Sequence, residues 1–189
     1  MKIPNADDAC RSTASMALYR ETMGRLAGGI SVILSGTAST PRGMTVNSLV
    51  SVSLDPLLLL FCARRESVTA RTVIETGVFS VNILSEQQLS ASRYFSGYCG
   101  TPSTCEIAGM RDHIWIKETV GSFLCSVETA HRAGDHDIII GHVRDIIDNP
   151  SRPLPLIYHD GRYRSLGPAC AEPDHASLLA CSPLAVGAA

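Results

Sequence analysis

The chain reads as a mainly β protein of barrel type with a few flanking helices. Short β-branched and apolar segments recur along its length, turn residues separate them, and only a few stretches carry helical spacing. A parallel βαβ sheet needs a helical crossover between successive strands. The pattern does not supply one each time, so a barrel is favoured.

Residues 1–12 are polar and read as a flexible N-terminus. Leu18, Met23 and Leu26 recur at roughly helical spacing, which predicts one opening helix over 16–26, ended by Gly28 and Gly29. Ile30 to Leu34 is an apolar, β-branched strand, and the turn-rich stretch Ser35 to Arg42 leads to the next one. Met44 to Leu54 alternates apolar with small polar residues. After Asp55-Pro56, the run LLLLFCA predicts a strand buried on both faces.

Ser67 to Glu75 predicts a short helix capped by Ser67 and stopped at Gly77, followed by an alternating strand from Val78 to Leu84. Ser85 to Tyr94 predicts another helix, with Ser85 as N-cap and Glu86 in its first turn. SGYCGTPSTCEIAGMRD is punctuated by Gly, Ser and Pro, which predicts a long surface loop and a candidate lid. Val120 to Ala130 and Asp137 to Ile147 are β-rich segments flanking the turn HRAGDH. Leu154 to Tyr158 and Tyr163 to Leu166 flank Asp160-Gly161, a hairpin signal. The Pro- and Ala-biased residues 167–189 read as a disordered tail, leaving 13–166 as one domain.

Sixteen Lys and Arg nearly balance 18 Asp and Glu, and no basic block is present to follow a phosphate backbone, so nucleic acid is a poor partner. The N-terminus carries acids and a proline where a secretory signal would be apolar, and no run approaches the length of a membrane span. The expectation is a soluble, cytoplasmic protein with no membrane partner. Seven cysteines include no C-x-x-C pair; they read as reduced thiols, with Cys62 and Cys125 as small core residues. His131, His136 and His142 alternate faces on strands and have no clustered carboxylate or thiolate to complete a set, so no metal site is expected.

The most informative segment is GMTVNSLVSVSLDP, Gly43 to Pro56. A strand that breaks at Thr45 to Ser48 exposes backbone N–H groups and hydroxyls able to hold a flat polar ring or a phosphate. An ordinary half-buried strand with its hydroxyls turned outward explains the same composition. Asn82 lies in an apolar strand and must either find hydrogen bonds, as a structural amide or with a ligand, or face the outside.

Taken in order, GMTVNSLVSVSLDP, LLLLFCA, ESVTA, FSVNIL, GDHDIIIGHV and LIYHDGRYRSL resemble the short-chain flavin reductase family, from about Met23 to Leu166. The resemblance implies a Greek-key split β-barrel that binds FMN or FAD, usually across a homodimer interface. By position, Thr45, Val46, Asn47 and Ser48 would line the isoalloxazine and ribityl region. Ser48 and Ser51 to Ser53 would lie nearer the ring or phosphate, with Ser67 at the phosphate or ribityl hydroxyls. Asn82 is a further candidate contact, Phe95 would lie near the flavin's open face, and Tyr163 belongs to the closing hairpin. His136 would touch the nicotinamide, with Asp135 orienting it or fixing the turn.

The implied activity is hydride transfer from NADH or NADPH to a flavin that then leaves for a flavin-dependent monooxygenase by diffusion. Such chemistry asks the protein mainly for ring alignment, in keeping with a segment of hydroxyls and amides without paired carboxylates. No G-x-G-x-x-G marks a Rossmann site for the nicotinamide. Two other activities fit the same barrel: an oxidase that keeps its flavin, of the pyridoxamine phosphate oxidase-like type, and a non-catalytic flavin carrier.

Overall fold

The computed structural model describes residues 15–98 and 105–168. Within them the protein is mainly β with few helices. The expected flexible N-terminus lies outside the described residues, and so does the expected tail beyond residue 168.

In chain order the elements are helix α1 (Met16–Gly24), strands β1 (Gly28–Gly29), β2 (Ser31–Thr37), β3 (Thr40–Val46), β4 (Val50–Leu54) and β5 (Leu57–Arg64), helix α2 (Val68–Thr76), strand β6 (Val78–Ile83) and helix α3 (Leu89–Phe95). Strands β7 (Ile107–Met110), β8 (His113–Ile116), β9 (Gly121–Ala133), β10 (His136–Asp148), β11 (Ile157–His159) and β12 (Arg162–Arg164) complete the set. The main sheet has seven strands in the order β3-β2-β6-β9-β10-β5-β4, so β3 and β4 are its open edges. A smaller sheet, β1-β11-β12, and the hairpin β7-β8 flank it.

Two apolar clusters hold these layers together. Ile33, Phe61, Val73, Phe79, Val81 and Ile139 are among the residues packed between the main sheet and α2. Phe61 and Phe79 meet edge to face with centroids 5.3 Å apart, and each buried side chain of this size contributes roughly 1.5–3 kcal/mol. Gly141 lies under the Phe79 ring, where a Cβ would collide with it. Cys125 is fully buried in this cluster, and burial pushes its thiol up to about 12. The second cluster joins Val32, Leu34, Leu84, Ala91, Ile116 and Leu156, and so seats α3 and the β7-β8 hairpin on the other face of β2.

Several expectations change in detail. β5 is not buried on both faces: Leu59, Phe61 and Ala63 point into the core, whereas Leu58, Leu60 and Cys62 are half-buried, because nothing in the described chain covers the outer side. The turn expected over 35–42 shrinks to two residues, since hydroxyls of Thr37, Ser39 and Thr40 bond to one another and let the strands run to the tip. HRAGDH shrinks likewise, leaving Gly134 and Asp135 as the turn between β9 and β10. The loop expected over 96–112 holds β7, which turns into β8 through Arg111 at φ 54°, a position where the usual glycine or asparagine signal is missing. The helix expected over 85–94 begins as a 3₁₀ turn at Glu86–Gln88, where the Ser85 N–H donates to Gln88 Oε1. The opening helix ends at Gly24, and none of its residues is buried.

Candidate functional site

The β3-β4 connection is the local cause of the site. Backbone pairing to β2 stops at Val46, and β4 pairs instead with β5 from Val50 onward, so residues 47–49 cross from one edge of the sheet to the other. Thr45, Val46 and Asn47 then form one wall of a cleft of about 840 Å³. Tyr158, Arg162 and Tyr163 of the β11-β12 hairpin line it too, as do Leu89 and Arg93 of α3. The hairpin turns at Asp160 and Gly161 with φ of 51° and 71°, the paired left-handed geometry that the Asp-Gly signal predicts.

The polar atoms here fall into two groups. Thr45 Oγ1 donates to Ser92 O at 2.7 Å, and Tyr163 Oη is 3.0 Å from Ser92 Oγ, so helix α3 is tied to β3 and to the β11-β12 hairpin. Asn47 is exposed in the cleft, and its side chain makes no hydrogen bond to the described residues.

The other expected site residues lie elsewhere. Ser48 Oγ accepts from Cys62 N at 3.0 Å and is 3.3 Å from Cys62 O, which fastens the crossing segment to β5. Ser51 is exposed on the β4 edge, and Ser53 Oγ accepts from Asp55 N at 3.2 Å. Ser67 caps α2, accepting from Ala70 N at 3.2 Å, with Met44 Sδ as its second partner. Phe95 packs over Gly43, where a Cβ would strike its ring, and it lines a separate small cleft with Arg42 and Tyr94.

Asn82 belongs to the core. It is wholly buried, its Nδ2 donates to Val32 O and Ser80 Oγ, and its Oδ1 accepts from Ile116 N and Ser122 Oγ. Those bonds leave the amide nothing to offer a ligand, which corrects the expectation of contact.

Asp135 lies in the β9-β10 turn and His136 opens β10, paired across from Arg64 of β5. His136 Nδ1 and Asp135 Oδ1 are 2.8 Å apart, and this hydrogen bond, with the histidine's charge, holds the Asp135 carboxyl below its ordinary range. This turn does not line the cleft. One chain therefore brings together Thr45, Val46, Asn47 and Tyr163, and leaves the remaining expected residues apart. Among the described residues no group of three or more His, Cys, Asp or Glu could hold a metal ion.

Sequence reasoning missed Arg93 and Arg162. The hairpin signal at Asp160-Gly161 was the clue to the second, since a two-residue turn pairs Tyr158 with Tyr163 and brings the start of β12, Arg162 included, to the cleft. Arg93 had no comparable signal.

Comparison with known proteins matches residues 23–167 to the flavin reductase like domain. The chain is 30% identical over 158 residues to an NADH-dependent FMN reductase of Streptomyces nodosus subsp. asukaensis, covering 80% of this chain and 85% of that one. It is 29% identical over 167 residues to the reductase subunit of a flavin-dependent monooxygenase of Mycobacterium tuberculosis, covering 83% and 86%. Among solved structures, the flavin reductase PheA2 superposes with a TM-score of 0.76 at 30% identity, over 82% of this chain and 100% of that one. On these matches, and on a fold that agrees with them, the chain belongs to the flavin reductase family.

Proposed function

We propose that this protein is an NAD(P)H-dependent flavin reductase that passes hydride from the nicotinamide to FMN or FAD and releases the reduced flavin to a monooxygenase. The observation that carries the proposal is the cleft of about 840 Å³ in a chain of this family, lined by Thr45–Asn47 and by a pair of tyrosines. Tyr158 and Tyr163 meet edge to face at 5.3 Å, an aromatic and polar lining suited to a flat ring system with a polar rim. The free Asn47 amide offers donor and acceptor to that rim.

The seven-stranded sheet with edges at β3 and β4 serves as a split barrel, and residues 13–166 as the catalytic unit. A homodimer completes the site. It covers the apolar outer side of the β4 edge, where Val50, Val52, Leu54 and Leu57 are exposed. Assembly also gives Ser51, Ser53, Ser67, Asp135 and His136 a route to a ligand that a single chain does not provide, while Ser48 holds the crossing segment in place. No described helix is long and apolar enough to cross a membrane. The cytoplasm, with its supply of reduced nicotinamide, is the proposed compartment.

The test is anaerobic mixing of purified protein with NADH or NADPH and a molar excess of FMN or FAD. Many turnovers of free flavin, read as loss of nicotinamide absorbance with bleaching of flavin, are expected. Flavin binding without nicotinamide consumption would make the protein a carrier, and reduction limited to one bound flavin would make it a flavin-retaining oxidase.

A further inference from the structure

Two clefts of similar size differ in charge. The cleft at Thr45–Asn47 is lined by Arg93 and Arg162 and by no carboxylate. The next, of about 780 Å³, sets Lys117 among Glu106 and Glu118, and Lys117 is already paired with Glu106. Neither Arg93 nor Arg162 has an ion pair with a carboxylate among the described residues. Two unpaired guanidiniums on the rim of one cleft are unexpected in a chain of net charge −2.

The packing around Tyr163 ties Arg93 to the cleft. Arg93 lies over the Tyr163 ring, 6.0 Å from its centroid, and Tyr163 is held by Ser92 at its hydroxyl and by Tyr158 at its edge. Arg162 precedes Tyr163 on the same short strand and lines the cleft, so the hairpin carries one cation and α3 the other. Guanidiniums bind phosphate through paired, charge-assisted hydrogen bonds and keep their charge at any working pH.

We propose that Arg93 and Arg162 hold the phosphate arm of a nucleotide substrate whose flat ring lies against the Thr45–Asn47 wall. The proposal rests on the flavin reductase reading. Both the phosphate of a flavin nucleotide and the diphosphate of a nicotinamide dinucleotide carry this chemistry.

FMN and riboflavin differ by one phosphate and separate the cases. Both are titrated by fluorescence against the wild type, Arg162→Gln and Arg93→Gln, and the nicotinamide KM is measured on the same proteins. The expected result is a loss of FMN affinity of about tenfold in each variant with riboflavin unchanged. A similar rise in nicotinamide KM with both flavin affinities unchanged assigns the site to the nicotinamide's diphosphate and still supports it. Variants that keep the FMN to riboflavin ratio and the KM overturn the inference while leaving the flavin reading intact. A wild type that binds neither flavin overturns both. Arg162 is exposed, so its variant decides the matter even if Arg93→Gln loosens the Tyr163 packing.

Discussion

Asn47 and Asn82 stand at opposite ends of what a polar side chain does in this fold. Asn82, in the middle of β6, spends its amide on Val32, Ser80, Ile116 and Ser122 and binds three strands and a hairpin together. Asn47, just past the end of β3, has no partner among the described residues and faces the cleft. The residue type is the same and both neighbourhoods are rich in small hydroxyls. What separates them is whether backbone groups of other strands arrive to satisfy the amide: a satisfied group stabilises, and an unsatisfied one at a cleft is available to a ligand.

The comparison is broken most directly by truncating both amides. Asn82→Ala leaves the Ile116 N–H and the Val32 carbonyl without a side-chain partner in a buried interior, and the expected cost is about 3 kcal/mol or more of unfolding free energy. Asn47→Ala should change stability by less than about 0.5 kcal/mol and weaken flavin binding. Chemical denaturation and flavin titration on both variants check this. Equal stability losses would erase the distinction.

Ser48 sharpens the comparison because it lies between the two extremes. Its hydroxyl is committed to Cys62, so Ser48→Ala should cost about 1 kcal/mol of stability, with any loss of flavin affinity following from movement of the crossing segment. Loss of flavin affinity at unchanged melting temperature would instead place the hydroxyl on the ligand.

His136 gives the smallest expected effect on the fold. His136→Ala should leave the melting temperature within error, raise the nicotinamide KM and hardly alter flavin affinity. The pairing also has a pH sign. A carboxyl with a lowered folded value gives its contribution above the ordinary aspartate range and loses it as pH falls through the lowered one, so Asp135 should titrate at lower pH than a free aspartate and return towards the ordinary value in His136→Ala. Carbon-detected NMR of the carboxyl reads both. An unshifted Asp135 in the wild type would show that the pair does not form in solution.

Strand periodicity, the Ser67 cap, the Gly77 stop and the Asp160-Gly161 hairpin were legible because each is a local rule, and the structure keeps them. The β7-β8 hairpin was not, since its turn uses Arg111 in a conformation that residue seldom adopts. The half-buried outer face of β5 was illegible for a different reason: LLLLFCA reads the same whether its second face meets protein or an open side. At the site, a strand break within Thr45–Ser48 could be read from small residues between apolar ones, and the chain leaves the strand after Val46. Arg93 could not, because its position over Tyr163 depends on packing between residues 70 positions apart.

The Cys125 thiol carries a last consequence for durability. A reductase that frees reduced flavin works beside a source of peroxide, since such flavins react with dioxygen, and the susceptible form of cysteine is the thiolate. With its thiol pushed up to about 12 and its side chain sealed beside Phe79, Cys125 stays protonated and out of reach. The same packing that stabilises the main sheet thereby shields this sulfur from the oxidant that free reduced flavin generates.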